Sequence, residues 1–149
     1  MGQTFSKLLF HIVFSTKDRM PYLAPLRDDL FPYMGGIIRG IRGKAMNING
    51  ANDHVHILTF LPADVSVAEA VRVVKANSSR WVHQSRRERR AFAWQAGYSA
   101  FTVSESSLAE VSRYIDGQEE HHRKQSFQEE LIAMLKKYNL PYDERYMWG

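Results

Sequence analysis

Cysteine is absent from the 149 residues of this chain. The absence excludes disulfide bonds and thiolate metal sites, and it suits a reducing compartment such as the cytoplasm. No apolar run approaches the roughly 20 residues that a membrane-spanning helix needs. The first residues contain an early histidine, His11, and no small-residue cleavage site, so they do not resemble a signal peptide. We therefore expect a soluble, cytoplasmic protein with no membrane partner.

Internal repeats, low-complexity tracts and domain boundaries are also missing from the sequence. A chain of this length can bury a hydrophobic core without disulfide bonds or structural metal ions. We expect one domain over residues 1–149, in which residues 125–149 form a C-terminal helix and an aromatic tail.

The net charge of +4 is small, but the charges are unevenly distributed. Residues 72–90 contain seven lysines or arginines and one acid, whereas nine acids and six bases lie from Glu105 onward. A concentrated basic segment is typical of polyanion binding, because cations that meet phosphates release condensed counterions. A solvated helix face is the alternative interpretation.

Hydrophobic periodicity and turn residues predict an alternation of strands and helices. The predicted elements are strand 5–16, a helix after Pro25 with a kink near Pro32, strand 44–48, strand 54–61, a helix capped by Ser66, strand 94–103 turning at Gly97, the Tyr114 helix, and a helix from Ser126 to Lys137. The order β-α-β-β-α-β matches an α+β fold of the ferredoxin-like or RNA-recognition type. Its four antiparallel strands carry two helices on one face, and the tyrosine lies on an appended helix.

His54 and His56 begin the strand that follows the Asn49–Asp53 turn. Residues two apart in a strand share a face, so both imidazoles point the same way and Val55 enters the opposite layer. An isolated His-x-His pair is a weak signal for metal. Asp53 could orient a histidine from outside the ligand shell or add a carboxylate.

A second segment carries Tyr114, Gln118 and His121 at helical spacing, which places them on one stripe. We expect the helix to meet the histidine strand. Two imidazoles and an amide oxygen suit Mg²⁺ or Mn²⁺ when phosphate oxygens complete the shell. A phenol is mostly protonated at neutral pH, so it needs a neighbouring cation or base to act as a nucleophile. Such a site fits phosphodiester transesterification through a phosphotyrosine bond.

These residues resemble a known family. His54-Val-His56 together with Tyr114 and Gln118 is similar to the single-tyrosine HUH transposases of small insertion sequences, the IS200-like transposases, and especially to the branch of REP-associated tyrosine transposases. The likeness extends over segments 11–19, 53–58, 78–81, 94–101 and 118–127.

The resemblance implies that His54, His56 and Gln118 bind a divalent metal and that Tyr114 attacks single-stranded DNA, leaving a 5′-phosphotyrosine and a free 3′-hydroxyl. It implies a DNA transposase that cleaves and rejoins hairpin-marked ends, works as a homodimer and needs no small-molecule cofactor. Whether the tyrosine helix serves its own histidines or those of the partner stays open. Asp53 and His121 are candidates for the second shell. The roles of His11 and His122 stay open, and for His121 and His122 a phosphate contact or a structural role is expected.

DNA contacts are predicted only by residue type. The candidates are Lys17, Arg19, Arg72, Lys75, Arg80, Arg86 and Arg87.

Two other functions fit the same fold. One is a non-catalytic or domesticated single-strand nucleic-acid binder, and the other is a metallohydrolase that uses the histidines and a water. The second predicts that Tyr114 is dispensable.

Overall fold

The structure is a computed structural model that describes residues 2–86, 90–122 and 124–148. Within these ranges the helices and strands are β1 (Leu8–Ser15), α1 (Arg27–Gly40), β2 (Lys44–Gly50), β3 (His54–Leu61), α2 (Val67–Ser85), β4 (Ser99–Thr102), α3 (Leu108–Asp116), α4 (Gln118–His121) and α5 (Phe127–Lys137). Short 3₁₀ turns, Lys17–Arg19 and Glu105–Ser107, follow β1 and precede α3.

The four strands form one antiparallel sheet in the order β2-β3-β1-β4. The order and the intervening helices confirm the predicted α+β, ferredoxin-like fold. β3 and β1 are central, and their register places His56 opposite Val13 and His54 opposite Ser15. The histidine strand therefore lies in the middle of the sheet, where both of its edges are paired.

The two faces of the sheet are covered differently. On one face Ile12, Phe14, Val55 and Ile57 pack against α1 and α2 in the main core. On the other face Val13 packs in a second, smaller core. The second core is completed by Phe101 and by the α5 residues Phe127, Leu131 and Leu135. The alternation predicted for β3 is thus observed, and α5 forms a third layer on the histidine face.

Helix α1 runs through Pro32 as one 14-residue element. Proline lacks the N–H that would bond to the carbonyl oxygen of residue i−4, and its ring crowds that carbonyl, so it commonly kinks or breaks a helix. The buried side chains Leu30, Phe31, Met34 and Ile38 hold the helix against the sheet on both sides of the proline. The sequence argued against an unbroken helix at this point, and the structure has one helix from Arg27 to Gly40.

Two strands are shorter than the sequence pattern predicts. β1 begins at Leu8 rather than at residue 5, because its partner β3 ends at Leu61 and Pro62 has no N–H to extend the ladder. The segment predicted as strand 94–103 is divided: Trp94 makes an isolated bridge with Thr16, and β4 begins only at Ser99. Lys75 Nζ donates to the carbonyl oxygens of Gln95 and Gly97, at 2.9 and 2.6 Å, and thereby stabilises the loop between them.

Helices α2 and α5 begin at the predicted serine caps. Ser66 Oγ accepts a hydrogen bond from the Glu69 N–H at 3.0 Å. Ser126 and Glu129 form a complete capping box, since each side chain also accepts from the other residue's N–H. No helix in the described part of the chain is both long and apolar enough to cross a membrane.

Candidate active site

His54 and His56 lie fully buried on the α5 face of β3. Each imidazole has its Nδ1 atom occupied: His54 Nδ1 is 2.8 Å from Asp53 Oδ1, and His56 Nδ1 is 2.7 Å from His11 Nε2. Both Nε2 atoms are thereby turned toward α4 and α5. Asp53 thus contacts the side of the His54 ring that faces away from α4 and α5, and His11 contacts the corresponding nitrogen of His56.

The tyrosine helix is fixed to the sheet by two asparagines of β2. Asn47 Nδ2 donates to Asp116 Oδ1 at 2.8 Å, and Asn49 Nδ2 donates to the Ile115 carbonyl oxygen at 2.9 Å. The second bond satisfies a carbonyl in the last turn of α3, where helical partners are missing. The C-terminal end of α3 is therefore held at the edge strand β2, next to the histidine strand β3.

The predicted stripe assumed one helix that continues from Tyr114 through Gln118. The structure has two helices instead. Helix α3 ends at Asp116, Gly117 follows, and α4 begins at Gln118. Tyr114 and Gln118 nevertheless point into the same site: Gln118 Oε1 is 3.2 Å from His54 Nε2, and Gln118 Nε2 donates to the Tyr114 carbonyl oxygen at 3.4 Å. The Tyr114 ring lies 5.8 Å from the His56 ring, centroid to centroid.

Glu130 on α5 occupies the centre of the site and was missed by sequence reasoning. Its Oε1 atom lies 3.0 Å from His56 Nε2, 3.2 Å from His122 Nε2 and 3.4 Å from His54 Nε2. Its Oε2 atom accepts a hydrogen bond from the Tyr114 hydroxyl and another, at 3.2 Å, from Gln118 Nε2. The carboxylate thus contacts the predicted nucleophile and all three predicted metal ligands, His54, His56 and Gln118.

A signal for Glu130 was present in the sequence. Phe127, Glu130, Leu131 and Leu135 recur at helical spacing, and all four are buried. A lone acid within the apolar stripe of an amphipathic helix is unusual, because burying an unpaired carboxylate is costly. Such an acid therefore indicates a partner on the surface that the helix covers.

His121 and His122 have different positions. His122 Nε2 lies 3.0 Å from Gln118 Oε1, so His122 joins the imidazole cluster, and no settled role was predicted for it. His121 borders Tyr114, with ring centroids 5.4 Å apart, and its Nε2 atom is 3.5 Å from Glu130 Oε2. That nitrogen is buried and makes no hydrogen bond within the described part of the chain.

The donor set can hold one divalent cation. The ligand atoms of His54, His56, His122 and Glu130 all lie within 4.8 Å of one another. An octahedral cation with bonds of about 2.1 Å holds neighbouring ligand atoms about 3.0 Å apart. The observed spacings of 3.0, 3.2 and 3.4 Å around Glu130 Oε1 are close to that value. Gln118 Oε1 lies beside the same group and offers the amide oxygen predicted from the sequence.

Burial and ion pairing act on the site in opposite directions. Burial opposes the charging of His54, but hydrogen bonds to Asp53 and Glu130 outweigh it and raise the pKa of His54 to about 9. Burial dominates at His56 and lowers its pKa. Burial also opposes ionisation of Glu130, yet hydrogen bonds from the imidazoles hold the pKa of that carboxyl far below its usual range. The metal-free site is therefore an ion pair of Glu130 with His54.

Burial raises the pKa of the Tyr114 phenol above its ordinary value of 10, and the neighbouring Glu130 carboxylate raises it further. The phenol is therefore protonated at neutral pH in the metal-free protein. Burial lowers the pKa of His11, and the neighbouring His56 lowers it further, to about 3. His11 is therefore neutral at neutral pH.

A cavity of about 370 Å³ opens beside Tyr114 between α3 and α5. His11, Tyr114, His121 and Glu130 line its polar side, and Val111 and Met134 are among its apolar residues. The cavity gives the phenol a route to solvent and leaves space next to it for part of a substrate.

Two of the predicted DNA-contacting cations lie near the histidine end of the sheet. Phe127 stacks on His54 at 4.5 Å and contacts Trp148, and the Arg19 guanidinium lies 5.5 Å from the Trp148 ring centroid. Lys17 is exposed in the same 3₁₀ turn. These cations border the site.

The structure does not bring the other predicted cations to the histidines. Arg72, Lys75 and Arg80 lie on α2, which packs on the opposite face of the sheet. Arg72 pairs with Glu69, and Arg86 pairs with Asp29. Lys75 is half-buried among loop carbonyls, and burial lowers its pKa to about 8. Arg87 falls outside the described residues.

The chain is similar to known proteins in its sequence and in its fold. The family model described as "Transposase IS200 like" matches residues 4–118. A crystal structure of a protein assigned as a transposase from Deinococcus radiodurans R1 is similar, with a TM-score of 0.65 and 23% identity, covering 79% of this chain and 96% of that one. A REP-associated tyrosine transposase, solved bound to a REP hairpin, has a TM-score of 0.61 and 14% identity, covering 82% of this chain and 73% of that one.

The search of curated proteins gave no match. The two solved structures share the fold, and the family model covers most of the chain, including the histidine strand and the tyrosine helix. The chain therefore belongs to the IS200-like transposase family.

Proposed function

We propose that this transposase cleaves and rejoins single-stranded DNA at hairpin-marked ends through a 5′-phosphotyrosine intermediate, with the help of a divalent metal. The observation that carries the proposal is the convergence on Glu130. One oxygen of this carboxylate lies among three imidazole nitrogens, and the other accepts a hydrogen bond from Tyr114. A phenol beside a potential cation site is the arrangement that attack on phosphorus requires.

The proposed step is a transesterification. The Tyr114 oxygen attacks the scissile phosphorus, the new O–P bond forms, and the P–O3′ bond breaks. The phenolic proton is lost and a proton reaches the departing 3′-oxygen, so no protons are consumed overall. The phosphotyrosine bond retains the phosphodiester's energy, and attack by a 3′-hydroxyl reverses the step and rejoins DNA.

His54 and His56 would hold the metal, together with Gln118 as predicted from the sequence and with the neighbouring His122 and Glu130. When bound, the metal would polarise the phosphate, stabilise charge on its oxygens and favour the ionised phenol. Imidazole-rich donor sets suit Mn²⁺ better than Mg²⁺, which prefers oxygen ligands. Asp53 and His11 keep the two strand histidines oriented, and His121 has a free nitrogen beside Tyr114 for a phosphate oxygen.

The proposed substrate is single-stranded DNA next to a hairpin. The REP-associated tyrosine transposase of similar fold was solved with such a hairpin. Lys17 and Arg19 are the best-placed phosphate contacts because they border the histidine end of the sheet. Arg72, Arg80, Arg86 and Arg87 are proposed to contact more distant phosphates of the hairpin, and Lys75 is the weakest candidate because its ammonium group already binds loop carbonyls.

The family resemblance also predicts a homodimer in the cytoplasm, with residues 1–149 acting as one domain. The tyrosine and the histidines of a single chain already meet around Glu130. We propose that each protomer supplies its own Tyr114, so that a dimer would hold two DNA ends without exchanging α3.

The test is incubation of the protein with labelled single-stranded hairpin DNA and Mn²⁺, followed by denaturing electrophoresis. We expect a covalent protein–DNA adduct that requires Mn²⁺ and is lost in Tyr114→Phe. Tyr98→Phe is a matched control because Tyr98 is an exposed tyrosine whose ring lies near the Lys75 ammonium group of α2. Cleavage without an adduct would indicate a water-using metallohydrolase, and binding without cleavage would indicate the non-catalytic or domesticated alternative.

A further inference from the structure

Glu130 lies outside the segment that the family model matches, which ends at residue 118. Its carboxylate nevertheless contacts the site histidines and Tyr114, and only 2% of its surface is exposed. Phe127 and Leu131 flank it on α5 and are buried in the second core with Val13 and Phe101. Packing of α5 on the sheet therefore sets the position of the carboxylate.

The two oxygens of Glu130 have separate partners. Oε1 lies among the Nε2 atoms of His56, His122 and His54, at 3.0, 3.2 and 3.4 Å. Oε2 accepts from the Tyr114 hydroxyl and from Gln118 Nε2. One oxygen thus lies in the ligand cluster, while the other holds the phenol.

We propose that Glu130 is a metal ligand through Oε1 and, through Oε2, the residue that positions the Tyr114 hydroxyl beside the cation. This inference rests on the proposed function and extends the active site to α5. It assigns to the C-terminal segment, beyond the histidine strand and the tyrosine helix, a direct part in assembling the centre.

A different use of the same carboxylate would be to occupy the place of the scissile phosphate until DNA displaces it. Displacement by a movement of the helix would require α5 to leave the sheet. Phe127, Leu131 and Leu135 would then lose their contacts with Val13 and Phe101, and exposing three such apolar side chains to water is unfavourable. The packing of α5 therefore favours a carboxylate that stays in the site.

The first experiment measures Mn²⁺ binding to the full chain without DNA, by the loss of the free Mn²⁺ signal in electron paramagnetic resonance. We expect Glu130→Gln to bind Mn²⁺ at least 10-fold more weakly than the parent, because the amide offers a weaker ligand. Glu129→Gln removes the same charge from the neighbouring, exposed position and should bind like the parent. Glu130→Asp keeps the carboxylate and should recover part of the affinity.

The second experiment measures the single-turnover rate of adduct formation on hairpin DNA at saturating Mn²⁺. A residue that only binds metal would give variants with the parent rate under these conditions. Because Oε2 also holds the phenol, we expect the Glu130→Gln rate to stay at least 10-fold below that of the parent and of Glu129→Gln. The Glu130→Asp rate should lie between them.

A Glu130→Gln protein that binds Mn²⁺ within twofold of the parent, or that forms the adduct as fast or faster, overturns the proposal. If Glu130→Gln does not fold, as judged by circular dichroism, Glu130→Asp provides the test. The shorter aspartate side chain cannot reach both the imidazoles and the phenol, so a Glu130→Asp protein with parental Mn²⁺ affinity and parental rate contradicts the proposal. If the parent binds Mn²⁺ through Glu130 but forms no adduct, the proposed strand transfer fails while the ligand assignment stands.

Discussion

Asp53 controls the direction in which His54 faces the site. Its Oδ1 atom is 2.8 Å from His54 Nδ1, so Nε2 of the same ring is directed toward Gln118 and Glu130. Carboxylates that orient a ligating histidine commonly change metal affinity by 10–100-fold when they are replaced. The effect depends on the charge of Asp53 and on the geometry of its hydrogen bond.

We expect Asp53→Asn to weaken Mn²⁺ binding by about 10-fold or more, because the amide stabilises the oriented ring less well. Titration calorimetry with Mn²⁺ measures the change. Asp64→Asn is the matched control, since Asp64 forms only a surface ion pair with Arg42 at 2.8 Å. Equal affinities for both variants and the parent would show that Asp53 does not orient a ligand.

Sequence reasoning found the residues whose spacing is local and missed the one that depends on distant packing. Strand alternation predicts that His54 and His56 share a face, and helical spacing brings Gln118 close to Tyr114. Glu130 lies 74 residues from His56 along the chain. Its role follows from the docking of α5 on the histidine face, which local periodicity does not predict.

At the scale of elements, the turn between β2 and β3 places His54 at the start of its strand. Gly50 ends β2 at this turn, and a Cβ added there would lie 2.1 Å from the His54 carbonyl oxygen and 2.9 Å from Val55 Cα. Both contacts are with backbone atoms, which cannot move without shifting the histidine strand. The hairpin therefore requires glycine at this position.

We expect Gly50→Ala to lower the free energy of unfolding by about 1–3 kcal/mol, as overpacked sites commonly do, and to weaken Mn²⁺ binding because His54 shifts. Urea unfolding followed by circular dichroism measures the first effect. Gly36→Ala serves as the comparison: Gly36 lies within α1 with no atom near its added Cβ, so this change should stabilise the protein by about 0.5–1 kcal/mol. Equal stabilities for the two variants would contradict the argument.

The boundary between α3 and α4 shows where periodicity gives an incomplete answer. One continuous helix would place Tyr114, Gln118 and His121 on a stripe, yet Gly117 interrupts the helix. Glycine costs about 1 kcal/mol in a helix relative to alanine, and Asn49 from β2 satisfies the Ile115 carbonyl oxygen just before the break. The break lets His122 join the imidazoles, which a continuous stripe through His121 does not predict.

At the scale of the whole molecule, the order of elements and the hydrophobic alternation were enough to predict the α+β sheet. The third layer was not predicted as part of the site. α5 was expected as an appended helix, and its packing against Val13 and Phe101 encloses the polar cluster between two apolar surfaces. Protonation of that cluster should therefore affect the stability of the whole fold.

The stability of the metal-free protein should fall on both sides of a maximum in pH: the alkaline limb is the loss at higher pH, and the acid limb is the loss at lower pH. The pKa of His54 is raised from 6.5 to about 9 in the folded protein, so its contribution is complete below pH 6.5 and is lost as the pH rises through 9. The pKa of His11 is lowered from 6.5 to about 3, so stability is lost as the pH falls below 6.5, where the unfolded chain takes up the proton first. His56, whose pKa is also lowered, adds to the second limb.

We therefore expect the unfolding free energy, measured by urea titration in EDTA between pH 5 and pH 9, to be greatest near pH 6.5. Each histidine contributes a slope of at most about 1.4 kcal/mol per pH unit. His11→Gln removes one titrating group and should flatten the acid limb while leaving the loss between pH 6.5 and pH 9 in place. A parental stability that increases as the pH falls below 6.5, or an unchanged loss of stability at acid pH in His11→Gln, would show that His11 is not buried as a neutral group.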